Sequence, residues 1–124
     1  MNKRILAVDD ETDITRIVKL ILEQTGLYEV RTENQGRMAV AAAREFRPDL
    51  ILLDVMMPGM LGSEIVAQLQ DDPELRAIKF VFLTAVVTKE EALRTNGHIG
   101  GHTFVAKPIS AEDLCKVVEH HLLN

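Results

Sequence analysis

The sequence predicts a single-domain, doubly wound α/β sandwich, and two observations carry that prediction. Short apolar runs alternate with longer segments whose apolar residues recur at helical spacing, and the short runs lack the polar alternation of a half-exposed strand. Strands buried on both faces and separated by helices make a parallel sheet covered on both sides. The 124 residues, 47% of them hydrophobic, suffice for one core, and no linker, repeat or low-complexity segment divides residues 1–124.

The first strand is "RILAV" (4–8), followed by a helix with Ile14, Ile17, Val18, Ile21 and Leu22 on one face and Gly26 at its close. Tyr28 to Thr32 form the second strand, and Ala39, Ala42, Ala43 and Phe46 mark a second helix that cannot pass Pro48. "LILLDV", from Leu50, is the third strand. The helix after it carries Ile65, Val66 and Leu69 on one face and ends before Pro73. "KFVFLTA" (79–85) is the fourth strand, with Thr88 capping a fourth helix in "KEEALR". "TFVA" (103–106) is the fifth. Ser110, with Asp113 three residues on, opens a fifth helix that buries Leu114, Val117, Val118 and Leu122. For the five strands and five helices, the doubly wound order 2-1-3-4-5 is the expectation.

Composition narrows the function classes. A net charge of −5 with no basic stripe argues against direct nucleic-acid contact by this domain. Between Lys3-Arg4 and the acidic cluster only Ile5 to Val8 are apolar, too few for a signal-peptide core or a membrane span, so a cytoplasmic location is expected. The single cysteine, Cys115, has no internal disulfide partner and reads as a packing residue. His98 and His102 lack nearby residues to complete a zinc site.

Ligands of such folds bind outside the carboxyl ends of the strands, where strand order reverses. There the strands exit on polar residues: Asp9 and Asp10 after the first, Asp54 after the third, Thr84 after the fourth, Lys107 after the fifth. Singly, the aspartates have bland readings, Asp9-Asp10 as a charge cluster at a helix start and Asp54 as a turn residue before Pro58. Jointly, three carboxylates at one edge need positive charge to stay ionised, and Lys107 alone does not balance them. A hard divalent cation with oxygen ligands does; Mg²⁺, with Mn²⁺ as a substitute, is the expected ion. An aspartate beside a metal, a lysine and a hydroxyl suits a carboxylate nucleophile that accepts a phosphoryl group.

At these residues the chain resembles the receiver domain of response regulators, the phospho-acceptor half of two-component phosphorelay signalling, over its whole length. The resemblance rests on "ILAVDDE", "DLILLDVMMPGM", "VFLTA" and "TFVAKP" in the family's order and near its spacing. It implies a flavodoxin-like fold in which Asp54 takes a phosphoryl group from a sensor histidine kinase, a phosphotransfer protein or a small acyl phosphate. Asp10 would bind Mg²⁺ directly, Asp9 largely through water, and the Met56 backbone carbonyl would add a ligand. Thr84 would hydrogen-bond the phosphoryl group, Lys107 would pair with it, and Phe104 would swing inward with Thr84. Lys107-Pro108 resembles the family's cis peptide. Met56 and Val86 stand where the family tunes the lifetime of the phosphoryl group, and both are apolar here. Met60-Leu61-Gly62 departs from the usual Met-Asp-Gly, and "RTNGHIGGHT" is about a residue longer than usual, shortening the fourth helix.

The implied activity is a signalling switch whose own chemistry is confined to self-phosphorylation and autodephosphorylation. A phosphorylation-dependent homodimer through the last helices stays an open outcome. Two alternatives remain: a degenerate receiver used only as an interaction module, and a small phosphatase with an aspartyl nucleophile. Against the phosphatase, the position two residues beyond the nucleophile is Met56 rather than an aspartate.

Overall fold

The computed structural model describes residues 2–85, 98–99 and 102–122. In chain order the elements are β1 (Lys3–Val8), α1 (Thr12–Gln24), β2 (Tyr28–Glu33), a 3₁₀ turn (Gly36–Met38) and α2 (Ala39–Phe46). There follow β3 (Leu50–Asp54), β4 (Met56–Met57), β5 (Met60–Leu61), α3 (Gly62–Asp71), β6 (Lys79–Thr84), β7 (His98–Ile99), β8 (His102–Ala106) and α4 (Ala111–Leu122). The main sheet runs β2-β1-β3-β6-β8-β7. Its first five strands are parallel and reproduce the expected 2-1-3-4-5 order. The expected fourth helix, with Thr88 and Val86, lies outside the described residues.

Alternating residues of the central strands feed two separate cores. Ile5, Ala7, Leu50, Leu52, Val81 and Leu83 point to one face and pack with Val18 and Leu22 of α1 and Leu114 and Val118 of α4. Leu6, Val8, Ile51 and Leu53 point to the other and meet Ala39, Ala42 and Ala43 of α2 and Ile65 and Leu69 of α3. Every residue of β3 is buried, as a central parallel strand with helices on both sides requires. Each fully buried Leu or Ile contributes ~1.5–3 kcal/mol, so this strand contributes heavily to the stability of both cores.

At the exposed edge, the Val30 N–H of β2 donates to Glu23 Oε2 (3.1 Å) and its carbonyl accepts from Lys19 Nζ (2.8 Å). An ion pair on α1 thereby occupies the edge strand where another chain could add.

Two features went beyond the sequence reading. β4 and β5 form a small antiparallel hairpin around Pro58-Gly59, with Gly59 at φ 78°. β7 pairs antiparallel with β8, His98 opposite Thr103 and Ile99 opposite His102, so the fifth parallel strand begins at His102 and an extra strand precedes it. Gly100 and Gly101 separate the paired residues, and a glycine pair between two short strands is a hairpin signal that the expectation of a shortened helix passed over.

Candidate functional site

The site is assembled by the ends of strands that the sheet must align. Because β1, β3, β6 and β8 are parallel and in register, their last residues arrive at one edge: Val8 opposite Leu53, Asp54 opposite Leu83, Thr84 opposite Ala106. Asp54 is itself the last residue of β3 and is 4% exposed; Asp9, just past β1, is wholly buried, whereas Asp10 is exposed. One carboxylate oxygen from each of Asp9, Asp10 and Asp54 lies within 4.8 Å of the others.

Glycine governs how tightly the edge closes. α3 begins so near the end of β3 that a Cβ on Gly62 would sit 2.5 Å from the Asp54 carbonyl oxygen, and the Gly62 N–H donates to Val55 O at 2.8 Å. Only glycine fits there. The Leu61 N–H donates to Glu64 Oε1 at 3.3 Å, so α3 keeps one half of a capping box.

Lys107 reaches into the cluster from the end of β8. Its Nζ lies 2.7 Å from Asp9 Oδ2 and 3.4 Å from both Asp54 Oδ1 and Glu11 Oε1. The Lys107 backbone N–H donates to Thr84 O (2.9 Å), and the Lys107-Pro108 peptide bond is cis. Burial would lower the Lys107 pKa, but Asp9, Asp54 and Glu11 outweigh it and hold the ammonium above its ordinary value. The Asp54 carboxyl is pushed up to about 7 by desolvation, by the neighbouring Asp9 charge and by a hydrogen bond with Asp10; Lys107 and the Met56 N–H oppose this. One ammonium therefore faces more carboxylate charge than it neutralises.

That donor set fits a hard divalent cation: three carboxylates converge, one of them open to solvent, with buried negative charge to offset. Thr84 is buried at the same edge, and Phe104, opposite Phe82 in the sheet, is 5% exposed. The Met56 side chain, by contrast, stands 62% exposed beside Asp54, with its N–H 3.4 Å from Asp54 Oδ1.

A profile described as response regulator receiver domain matches residues 5–119. The chain belongs to the response-regulator receiver family. It is 35% identical to the polar-differentiation response regulator DivK of Brucella anthropi, a match covering 98% of each chain. Among solved structures, the Vibrio cholerae chemotaxis protein CheY4 is 32% identical with a TM-score of 0.82, covering 98% of this chain and 100% of that one. The receiver domain of a histidine kinase from Syntrophus aciditrophicus is 34% identical with a TM-score of 0.78, covering 98% and 90%. Receiver domains of this family serve signalling, and no helix among the described residues is long and apolar enough to cross a membrane.

Two residues at this receiver's site escaped the sequence reading. Asn34, just past β2, donates from Nδ2 to the Asp9 carbonyl (2.8 Å) and to Thr15 Oγ1 (3.0 Å). Thr15 is buried on α1 in line with Val18 and Leu22. A hydroxyl in an otherwise apolar helical series was the available signal, because a buried hydroxyl must find a partner.

Proposed function

We propose that this receiver is a phospho-accepting switch in which the Asp54 carboxylate attacks the phosphorus of a phosphohistidine or small acyl phosphate in a Mg²⁺-dependent reaction. The phosphorus–nitrogen or phosphorus–oxygen bond to the donor breaks, the donor leaves with the electron pair, and Asp54 becomes an aspartyl phosphate. The observation that carries this reading is the imbalance around Asp54: three converging carboxylates share one ammonium, and Asp54 sits at the centre with its pKa raised to about 7. A divalent cation held by these carboxylates would offset that charge, keep Asp54 ionised as a nucleophile and neutralise the incoming phosphoryl oxygens.

Asp10, the exposed carboxylate, and Asp54 are the direct ligands in this proposal, with the Met56 carbonyl as a further oxygen. Asp9 is already engaged by Lys107 and by the Glu11 N–H at 2.9 Å, and acts through water. Thr84 receives the phosphoryl group by hydrogen bond, Lys107 exchanges a carboxylate contact for it, and Phe104 repacks as Thr84 moves. The donor is a sensor histidine kinase or phosphotransfer protein, and the setting is the cytoplasm. Catalysis stops at self-phosphorylation and slow hydrolysis.

Incubation with acetyl phosphate, with and without Mg²⁺, followed by intact mass tests this. One phosphate retained in wild type with Mg²⁺, and none in Asp54→Asn, is expected. Continuous turnover with no retained phosphate would favour the phosphatase reading, and no reaction the interaction-module reading.

A further inference from the structure

The parallel ladder between β1 and β2 ends at a defined point, and what happens next bears on the metal ligands. The last backbone rung runs from the Asp9 N–H to Glu33 O at 3.1 Å. In a parallel ladder the Asp9 carbonyl would then accept from the backbone N–H of Gln35. Among the described residues that bond is not made, because the chain turns into the 3₁₀ segment at Gly36. The Asn34 side-chain amide makes it instead, 2.8 Å from the Asp9 carbonyl. Its second contact, Thr15 Oγ1 at 3.0 Å, is a hydroxyl that donates onward to Thr12 O at 3.1 Å. Thr15 thus presents a lone pair to Asn34, which fixes the amide with nitrogen toward the carbonyl. The peptide unit held this way is the Asp9–Asp10 bond itself.

We infer that Asn34 is a positioning residue for the acidic pair: it substitutes for the missing backbone rung and so fixes where Asp10 presents its carboxylate. Three constraints converge on this one turn: the Asp9 N–H held by β2, the Asp9 Oδ1 held by the Glu11 N–H, and the Asp9 carbonyl held by Asn34. The first acts before the Asp9–Asp10 peptide, and the second closes a local ring from the Asp9 side chain to the N–H beyond Asp10. The third grips the peptide that leads into Asp10 at its own oxygen and ties it to the end of β2. With it gone, Asp10 is exposed, carries no other restraint from the β2 side, and must be ordered when a cation binds, which costs affinity. The inference rests on the reading of the acidic cluster as a Mg²⁺ site.

The test is a Mg²⁺ titration of the unphosphorylated protein followed by amide chemical shifts, in wild type, Asn34→Leu and Thr15→Val. Asn34→Leu keeps the size and removes both donors; Thr15→Val keeps the shape and removes only the acceptor that orients Asn34. The expected result is a weakening of Mg²⁺ binding by ~3–10-fold in Asn34→Leu, at or below the ~10-fold minimum typical of groups bonded directly to metal ligands because Asn34 holds a backbone carbonyl, and a smaller weakening in Thr15→Val. In the acetyl phosphate reaction the half-saturating Mg²⁺ concentration should rise by the same factor, while the rate at saturating Mg²⁺ stays near that of wild type. Wild-type affinity in folded Asn34→Leu would overturn the inference. Should Asn34→Leu fail to fold, wild-type affinity in Thr15→Val overturns it. Absence of Mg²⁺ binding in wild type would sink the metal-site reading itself, a result distinct from either.

Discussion

At the amino-terminal edge of the sheet, Arg4 is satisfied from several sides: its backbone N–H donates to Asp49 (2.8 Å), its guanidinium donates to Phe46 O (2.8 Å) and stacks 5.5 Å from the Phe46 ring centre. Nearby, Arg44 pairs with Asp72 and holds that carboxyl below its ordinary pKa. At the carboxyl edge, Asp9 and Asp54 are buried, converge with Asp10, and share one lysine; there the Asp54 carboxyl is driven up rather than down. The same residue types at the two ends thus have opposite electrostatic fates. Where each charge has a partner and water, the contact ties loops to the scaffold and little else. Where buried charge exceeds its counter-charge, the fold is carrying a cost that a ligand can relieve, and such places are where function is to be sought.

The comparison breaks most visibly under substitutions that remove a charge at each end. Asp10→Ala should lose Mg²⁺-dependent labelling by acetyl phosphate essentially completely, while Arg44→Ala labels like wild type; equal loss in both, measured by intact mass, would mean the edges do not differ in kind. Next in size is the lifetime of the phosphoryl group. Met56 is exposed beside Asp54 and offers an attacking water no hydrogen bond, so Met56→Asn should speed decay about 10-fold, equivalent to ~1.4 kcal/mol of barrier. Unchanged decay after removal of acetyl phosphate would show that this side chain does not govern water access.

A third expectation concerns the metal-free protein. Because the folded state raises the Asp54 pKa from 3.8 to about 7, the fold favours the protonated form. Stability from this group is fully present below the ordinary carboxylate range, falls as pH rises through about 7, and is level above. Asp54→Asn should therefore be more stable than wild type at pH ~8 without metal, on the order of 1–2 kcal/mol after allowing for the partner that Lys107 loses. That advantage should vanish near pH ~4 and shrink when Mg²⁺ is added. Denaturant melts at the two pH values check the sign. The smallest effect is expected of Arg44→Ala on stability, since its exposed pair contributes little and less still at high salt.

Much of this was legible in the chain itself. The parallel, doubly covered sheet followed from strict alternation of apolar runs with amphipathic segments, and the convergence of Asp9, Asp10, Asp54, Thr84 and Lys107 followed from parallel strands sharing a direction in the 2-1-3-4-5 order expected of such a fold. Less legible were features set by backbone pairing. The β7–β8 hairpin was obscured because glycines also end helices, and the Gly100-Gly101 pair in "GHIGGHT" was read that way rather than as a hairpin turn. The Met56–Leu61 hairpin is too short for any periodicity to register. Asn34 was overlooked because its partner is a backbone carbonyl, which leaves no trace in residue type, and only the misplaced hydroxyl of Thr15 hinted at it.

The central claim, that charge imbalance at the carboxyl edge makes Asp54 a metal-dependent acceptor, is tested most directly by locating the phosphate. Wild type is incubated with acetyl phosphate in Mg²⁺ or in EDTA, reduced with borohydride so that an aspartyl phosphate becomes homoserine, and digested for peptide mass analysis. The account predicts homoserine at position 54 alone, and only in the Mg²⁺ sample. Homoserine at Asp9 or Asp10 instead, or equal conversion of Asp54 in EDTA, would contradict it.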